Sequence, residues 1–491
     1  MTADNLAIST SSAVIDRRYS GLRVFLTALS TVAVMAAGCA VGPNYVRPAV
    51  DQPARFKSQP ADNAAPLIAP EWWKLYNDPE LDQLIASAQA SNQTLRQAVA
   101  AVDQARALAR IARSYLYPSV AFNLNFLRER LSANRVSTIT GLKVPNGTTI
   151  SDWLMPFDLT YEIDVWGRIR RTIESAKAQT AASADDLAMV RLTVETDVAQ
   201  YYYTLRSLDA QAQILTQTVE AYREQVRLLS AQFKSGLVNQ IVVSQAQAQL
   251  EATLAQQQDM QRARADQEHA LAILCGSPAP SFALAPNPMY EASPPVVPPG
   301  LPAQLLVRRP DVAAAEQIIV ATNAQIGVAT AAFYPTFSLT SFAGFETADP
   351  STLVNWQSRV AAIAPSLLAP IFQGGRLKAN LAATRALYQQ TVAAYVNQVL
   401  VAYADVENAL TDLHALSDEV VSLRAAVSAS QNYLQLAQVQ YKYGLVDYLI
   451  VIDAERTLLA NQLLLAQTVN LQMGASIHLI KALGGGWENR P

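Results

Sequence analysis

The stretch "QFKSGLVNQIVVSQAQ" (Gln232–Gln247) returns 208 positions later (440 − 232) as "QYKYGLVDYLIVIDAE" (Gln440–Glu455). A duplicated unit usually buries its apolar face against its own copy, so the repeat governs how the rest of the chain is read. Three glycine pairs keep the same offset: Gly236 with Gly444 inside the stretch, and Gly167 with Gly375 and Gly276 with Gly484 outside it. Proline, which breaks helix interiors, is missing between Arg168 and Ser277 and again between Ile371 and Arg490. The pattern predicts two long helical spans, each interrupted once, with turns at Gly236 and Gly444.

The spacing before each turn shows what these helices do. Leu205, Leu208, Ala212, Leu215, Val219, Tyr222, Val226, Leu229 and Phe233 recur at threes and fours, and the copy repeats the register from Leu413 through Val420, Val427 and Leu434 to Tyr441. A seam held over several heptads in both copies predicts coiled-coil packing. From Arg168 to the first turn is about 65 residues, so a continuous helix would reach on the order of 100 Å. That length implies a rod or tube.

Ahead of each long helix the period changes to two. Val120, Phe122, Leu124 and Phe126 alternate with Ala121, Asn123 and Asn125; Phe157, Leu159, Tyr161, Ile163 and Val165 alternate with Asp158, Thr160, Glu162 and Asp164. The second copy alternates through Phe337, Leu339, Ala343 and Phe345, broken at Phe342, and continues in a polar-poor run with Pro365 and Pro370. Strands with one apolar and one wet face fit either a soluble sandwich or an outer-membrane barrel. Four strands cannot close a membrane barrel, because an open edge in lipid leaves backbone groups unsatisfied. In a membrane, several chains would have to share one barrel, and three or more would leave a water-filled lumen.

The N-terminus favours the membrane. Arg17, Arg18 and Arg23 precede the apolar run "VFLTALSTVAVMAA", as in a secretory signal. Ala36-Ala37-Gly38 before Cys39 resemble a bacterial lipobox, with alanine where leucine is usual, so Cys39 is expected to carry lipid as the first residue of the mature chain. Cys275 is then the remaining thiol, expected to be buried and apolar in character. Half the residues (51%) are hydrophobic and the net charge is −3, which shows no basic footprint for nucleic acid. His269, His414 and His478 stand alone on predicted helices, with no ligand spacing or nucleophile motif that would suggest an enzyme.

The motifs "CAVGPNYVRP" from Cys39, "WWKLYNDPELDQLI" from Trp72, "YEIDVWGRIRR" from Tyr161, "LPAQLLVRRPDVAAAEQ" from Leu301, "YKYGLVDYLIVIDAER" from Tyr441 and "KALGGGW" near the end together resemble the TolC/OprM family of outer-membrane efflux channels, in its lipoprotein branch. The resemblance covers nearly the whole mature chain. It implies a mainly α fold with membrane β, in which three chains form an α-helical barrel topped by a twelve-stranded outer-membrane β-barrel. It implies no cofactor beyond the lipid on Cys39. Its implied partners are a periplasmic adaptor and an inner-membrane pump, commonly of the RND type, and its implied role is passive export of drugs or other small toxic solutes.

On this reading 1–38 is the signal, 39–70 a lipidated extended segment and 71–277 the first repeat, with strands near 119–128 and 157–166. A Pro-rich linker spans 278–302, the second repeat 303–486 with strands near 335–345 and 360–372, and a tail 487–491. Leu449, Asp453 and Arg456 stand at i, i+4 and i+7 on one helical face, and similar positions in the family form the periplasmic gate. Tyr441 matches the family residue that helps hold neighbouring helices closed. Three Asp453 carboxylates around one axis would repel one another unless Arg456 or water compensates. A periplasmic adaptor shares the lipobox and one coiled-coil hairpin, but here the hairpin occurs twice, each time after strands of membrane type. A type I protein-secretion duct shares the whole fold.

Overall fold

The 208-residue offset carries through to the helix boundaries. The computed structural model describes residues 40–57, 69–132, 149–287, 293–297 and 308–487. Its α-helices are α1 (Pro79–Ser91), α2 (Gln93–Ser114), α3 (Arg168–Lys234), α4 (Gln240–Leu274), α5 (Pro310–Ala331), α6 (Arg376–Lys442) and α7 (Tyr448–Ala482). Helices α3 and α6 each run 67 residues, α4 and α7 each 35, and each second copy starts 208 positions after the first (376 − 168 and 448 − 240). The strands are β1 (Ser119–Phe122), β2 (Asn125–Arg130), β3 (Thr149–Ile163), β4 (Thr336–Thr347) and β5 (Arg359–Leu368). The signal, Cys39 and parts of the anchored segment, the linker and the tail lie outside the described residues.

The chain forms two compact units. The first comprises Met1–Arg47, Gln104–Thr180 and Gln317–Val392, and contains the sheet. The sheet is antiparallel, in the order β1/β2, β3, β4, β5. β1 and β2 pair with β3 in one continuous register, Phe122 opposite Phe157 and Asn125 opposite Leu154, so they are one strand with an interruption. The interruption faces Pro156, which has no N–H to complete the ladder. The Asn123 amide still donates to the Pro156 carbonyl at 3.1 Å, and its side chain donates to the Asp158 carboxylate at 2.5 Å.

The register sorts the two faces. Phe122 packs against Phe157 (centroids 5.1 Å apart) and Phe126 against Trp153 (4.4 Å) on the apolar side, both pairs tilted. That side is open: Phe122 is 54% exposed, Phe157 57% and Ile363 75%. Contiguous exposed apolar surface of this kind marks contact with a partner or a membrane. Phe342, which breaks the alternation in the sequence, stands opposite Asp158 and Ala362 on the other face.

Three strand boundaries differ from the sequence reading. β3 begins at Thr149 rather than near 157, because Pro156 conceals a strand that its neighbours sustain. It ends at Ile163 rather than 166, because Asp164 leaves the sheet to cap α3, its carboxylate accepting from the amides of Ile169 (3.1 Å) and Arg170 (2.9 Å). Asp164 is therefore a helix cap and not a wet-face residue, while Glu162 is held in a two-pronged bond by Arg168 (2.9 and 2.7 Å). β5 stops at Leu368, short of 372: Pro370 cannot donate, and Ile371 and Phe372 stand exposed.

The segment after Cys39 is fastened to this unit. The Val41 amide donates to the Trp166 carbonyl (3.0 Å), Asn44 accepts from Arg171 (2.9 Å), and Asn323 donates to the Pro43 carbonyl (3.0 Å). Gly42, at φ 100°, lies so close to the Gly327 backbone that a side chain would collide with it. The glycine in "CAVGPNY" is thus a packing requirement.

The second unit comprises Pro48–Asp103, Ala181–Glu316 and Ala393–Pro491. Its core gathers Trp72, Trp73, Leu81 and Ile85 of the "WWKLYNDPELDQLI" motif with Val198, Tyr202, Leu205, Leu271, Met473 and Ile480. Asp78 caps α1 through the amides of Glu80 and Leu81 and accepts from the Tyr202 hydroxyl at 2.8 Å. Cys275 is buried, which raises its thiol above the usual range. The predicted seam is buried at Leu205, Leu215, Val219, Tyr222 and Leu229, and at Val420 and Ala437 of the copy, whereas Phe233 at its end is exposed. By length and composition α5 could cross a membrane, but most of it is buried inside the protein.

Candidate functional site

Both long helices end in the same backbone device. Gly236 (φ 76°) and Gly444 (φ 70°) are left-handed; their amides donate to Phe233 and Tyr441 at 2.9 Å, and the following Leu237 and Leu445 amides donate to Gln232 and Gln440 at 2.9 Å. This is a Schellman stop, which needs a residue free to take positive φ. Gly444→Ala is expected to cost about 1–2 kcal/mol through left-handed strain, read as a lower unfolding temperature of the detergent-extracted protein.

The two tips of one chain pack together. Leu229, Val243 and Ala246 of the first hairpin bury against Ala437, Tyr448, Val451, Ile452 and Ala454 of the second. Tyr441 is half-buried against this cluster, its ring 5.4 Å from Tyr448. Leu449, Asp453 and Arg456 come together on the opposite, exposed face of α7. The structure thus unites three of the predicted gate residues and sets Tyr441 apart from them, in the packing between hairpins. Asp453 accepts from the Tyr433 hydroxyl at 3.1 Å, so its partner within the chain is a tyrosine and not Arg456.

One further residue joins this region. Glu455 is half-buried on the packed face of α7, in line with the buried Tyr448, Ile452 and Leu459, with Gln225 of the first hairpin beside it. Burial pushes its carboxyl up to about 7, Gln225 only partly opposing this. Burial together with the Glu455 charge lifts the nearby Tyr222 hydroxyl to about 12. The sequence held a signal for this residue: at the 208 offset Glu455 answers to Gln247, a change of charge beside the change of Gln245 to Asp453. Elsewhere, His414 stands 4.0 Å from Asp418 on an exposed surface. Among the described residues no group of three or more His, Cys, Asp or Glu is placed to hold a metal.

Hairpins duplicated in register, tied at their tips and preceded by strands with an open apolar face match a known pattern. The model of the outer membrane efflux protein family fits residues 84–277 and 301–485, both copies of the repeat. The chain belongs to this family. Family members span the outer membrane and serve in export, and this chain is an outer-membrane efflux duct. It is 31% identical over 468 residues to the toluene efflux pump outer membrane protein TtgC of Pseudomonas putida, covering 94% of this chain and 96% of that one. It is 30% identical over 464 residues to the cation efflux system protein CusC of Escherichia coli, covering 93% and 98%. The solved outer-membrane channel OprN superposes with a TM-score of 0.84 at 29% identity, over 91% of this chain and 100% of that one.

Proposed function

We propose that three copies of this efflux duct share one twelve-stranded barrel in the outer membrane and one helical barrel in the periplasm. The observation that carries the reading is the sheet. Its four strands present an exposed apolar face, and among the described residues neither β5 nor β1/β2 has a partner on its outer edge. Lipid cannot satisfy those edges, whereas the edges of neighbouring chains can. Asn123, Asp158 and Thr160 then face the lumen with Ser338 and Thr340.

The six hairpin tips of the trimer receive a periplasmic adaptor, which links the duct to an inner-membrane pump of the RND type. Cargo is a small toxic solute that passes without chemistry. Relatives named for toluene and for cations support selection in the pump and not in the duct. Cys39 carries the lipid, and the clamp of Gly42, Pro43 and Asn44 sets where the anchored end lies. Leu449, Asp453 and Arg456 form the gate, with Gly236 and Gly444 as the turns of its hairpins.

Extraction tests the assembly and the anchor together. The wild-type protein should require detergent and run as a heat-labile trimer, and it should incorporate labelled palmitate that Cys39→Ala abolishes. A monomer soluble in salt alone would overturn the shared barrel; palmitate labelling that survives Cys39→Ala would overturn the anchor.

A further inference from the structure

We propose that Glu455 is a proton-set lock between the two hairpins of one chain, sealing the second hairpin onto the first when neutral and letting it part when ionised. The proposal rests on the gate reading above only for its consequence, opening. Its basis is position. Glu455 occupies a place in the α7 seam that Tyr448, Ile452 and Leu459 fill with buried side chains three and four residues away. A polar residue at one seam position costs stability and commonly serves to specify how helices pair. Here the polar residue is ionisable, and it lies on the face of α7 whose Tyr448, Val451 and Ile452 bury against Leu229, Val243 and Ala246 of the first hairpin. Near it is the buried Tyr222 hydroxyl, which has no hydrogen-bond partner among the described residues.

The groups that face it are few. Tyr222 on α3 and Tyr448 on α7 are titratable, and both feel its charge; Arg456, one position on, acts on Tyr222. Among the described residues no cation forms an ion pair with Glu455, so its ionised form is met by a neutral amide and two phenols. Burial holds its proton to about pH 7, against an ordinary value of 4.5. Closed packing therefore binds the proton more tightly than parted packing does. Between those two values each rise of one pH unit favours parting by up to about tenfold, and outside them the balance is flat.

The first hairpin carries Gln247 at the matching position, so Glu455→Gln preserves shape and hydrogen bonding while removing titration. In planar bilayers the wild-type conductance should rise several-fold from about pH 5.5 to about pH 8. Glu455→Gln should stay at the low-pH level throughout. Spin labels at Ser235→Cys and Lys442→Cys, with Cys275 buried out of reach, read the tip spacing directly. That spacing should widen at high pH in the wild type and not in Glu455→Gln. A pH response retained by Glu455→Gln, a spacing that ignores pH, or a variant open at every pH would each overturn the lock. The spacing arm stands whether or not the gate reading survives.

Discussion

Arg206→Met is expected to lower the stability of the second unit by about 3–5 kcal/mol, the usual consequence of leaving one partner of a buried ion pair uncompensated. Arg206 and Asp209 have side chains only 1% exposed, and their ion pair is 2.8 Å long. Arg206 also holds Glu80 of α1 and donates to the Ala285 carbonyl at 2.8 Å. Asp209 in turn accepts from Arg264 at 2.6 Å and from the Asn287 amide at 3.0 Å, while Arg264 donates to the Leu284 carbonyl at 2.7 Å. The cluster stitches the linker at 284–287 to α3 and α4. Removing the guanidinium takes a donor from three acceptors at once and leaves Asp209 with Arg264 and the Asn287 amide.

Methionine roughly replaces the stem of arginine, so the loss measured is that of charge and hydrogen bonds and not of volume. Thermal or urea unfolding of the detergent-extracted protein, followed by circular dichroism, gives the difference. A variant within about 1 kcal/mol of wild type would mean that Arg264, the Asn287 amide and water satisfy Asp209 by themselves.

Asp453→Ala is expected to raise single-channel conductance several-fold in planar bilayers. In the proposed trimer the exposed face of α7 carries Leu449, Asp453 and Arg456 toward the axis, where three carboxylates and three guanidiniums can cross-link neighbouring chains. The Tyr433 hydroxyl holds Asp453 at 3.1 Å, which limits how far its carboxylate swings. Deleting the carboxylate removes both the inter-chain attraction to Arg456 and this tether. Tyr433→Phe should raise conductance less, since it frees Asp453 without removing its charge. Conductance unchanged by Asp453→Ala would place the constriction elsewhere. A rise in Tyr433→Phe equal to that in Asp453→Ala would assign closure to the tyrosine bond within one chain.

Much of this was legible in one dimension because a duplication writes the same physics twice. The glycine stops at 236 and 444, the heptad seam and the matched lengths of α3 with α6 and of α4 with α7 follow from local rules: positive φ, apolar periodicity and the lack of proline. Alternation likewise placed Phe122 and Phe157 each on the apolar face of its own strand before any pairing was known. Those rules look only a few residues along the chain. They could not see that neighbours carry β3 through Pro156, that Asp164 is drawn from the sheet to cap α3, or that Phe342 stands beside Asp158.

The same limit applies at the tips. Spacing alone put Leu449, Asp453 and Arg456 on one face of a helix. Which face of α7 meets the first hairpin is decided by where Leu229, Val243 and Ala246 sit in space, and so is the fate of each charge. Asp453 stays wet and takes a tyrosine, while Glu455, two residues on, is pressed into the seam beside Gln225. Sequence set the helices and their repeat because backbone preference and apolar period act along the chain; tertiary structure set the ionisation of Glu455 because desolvation depends on neighbours that are far away in sequence.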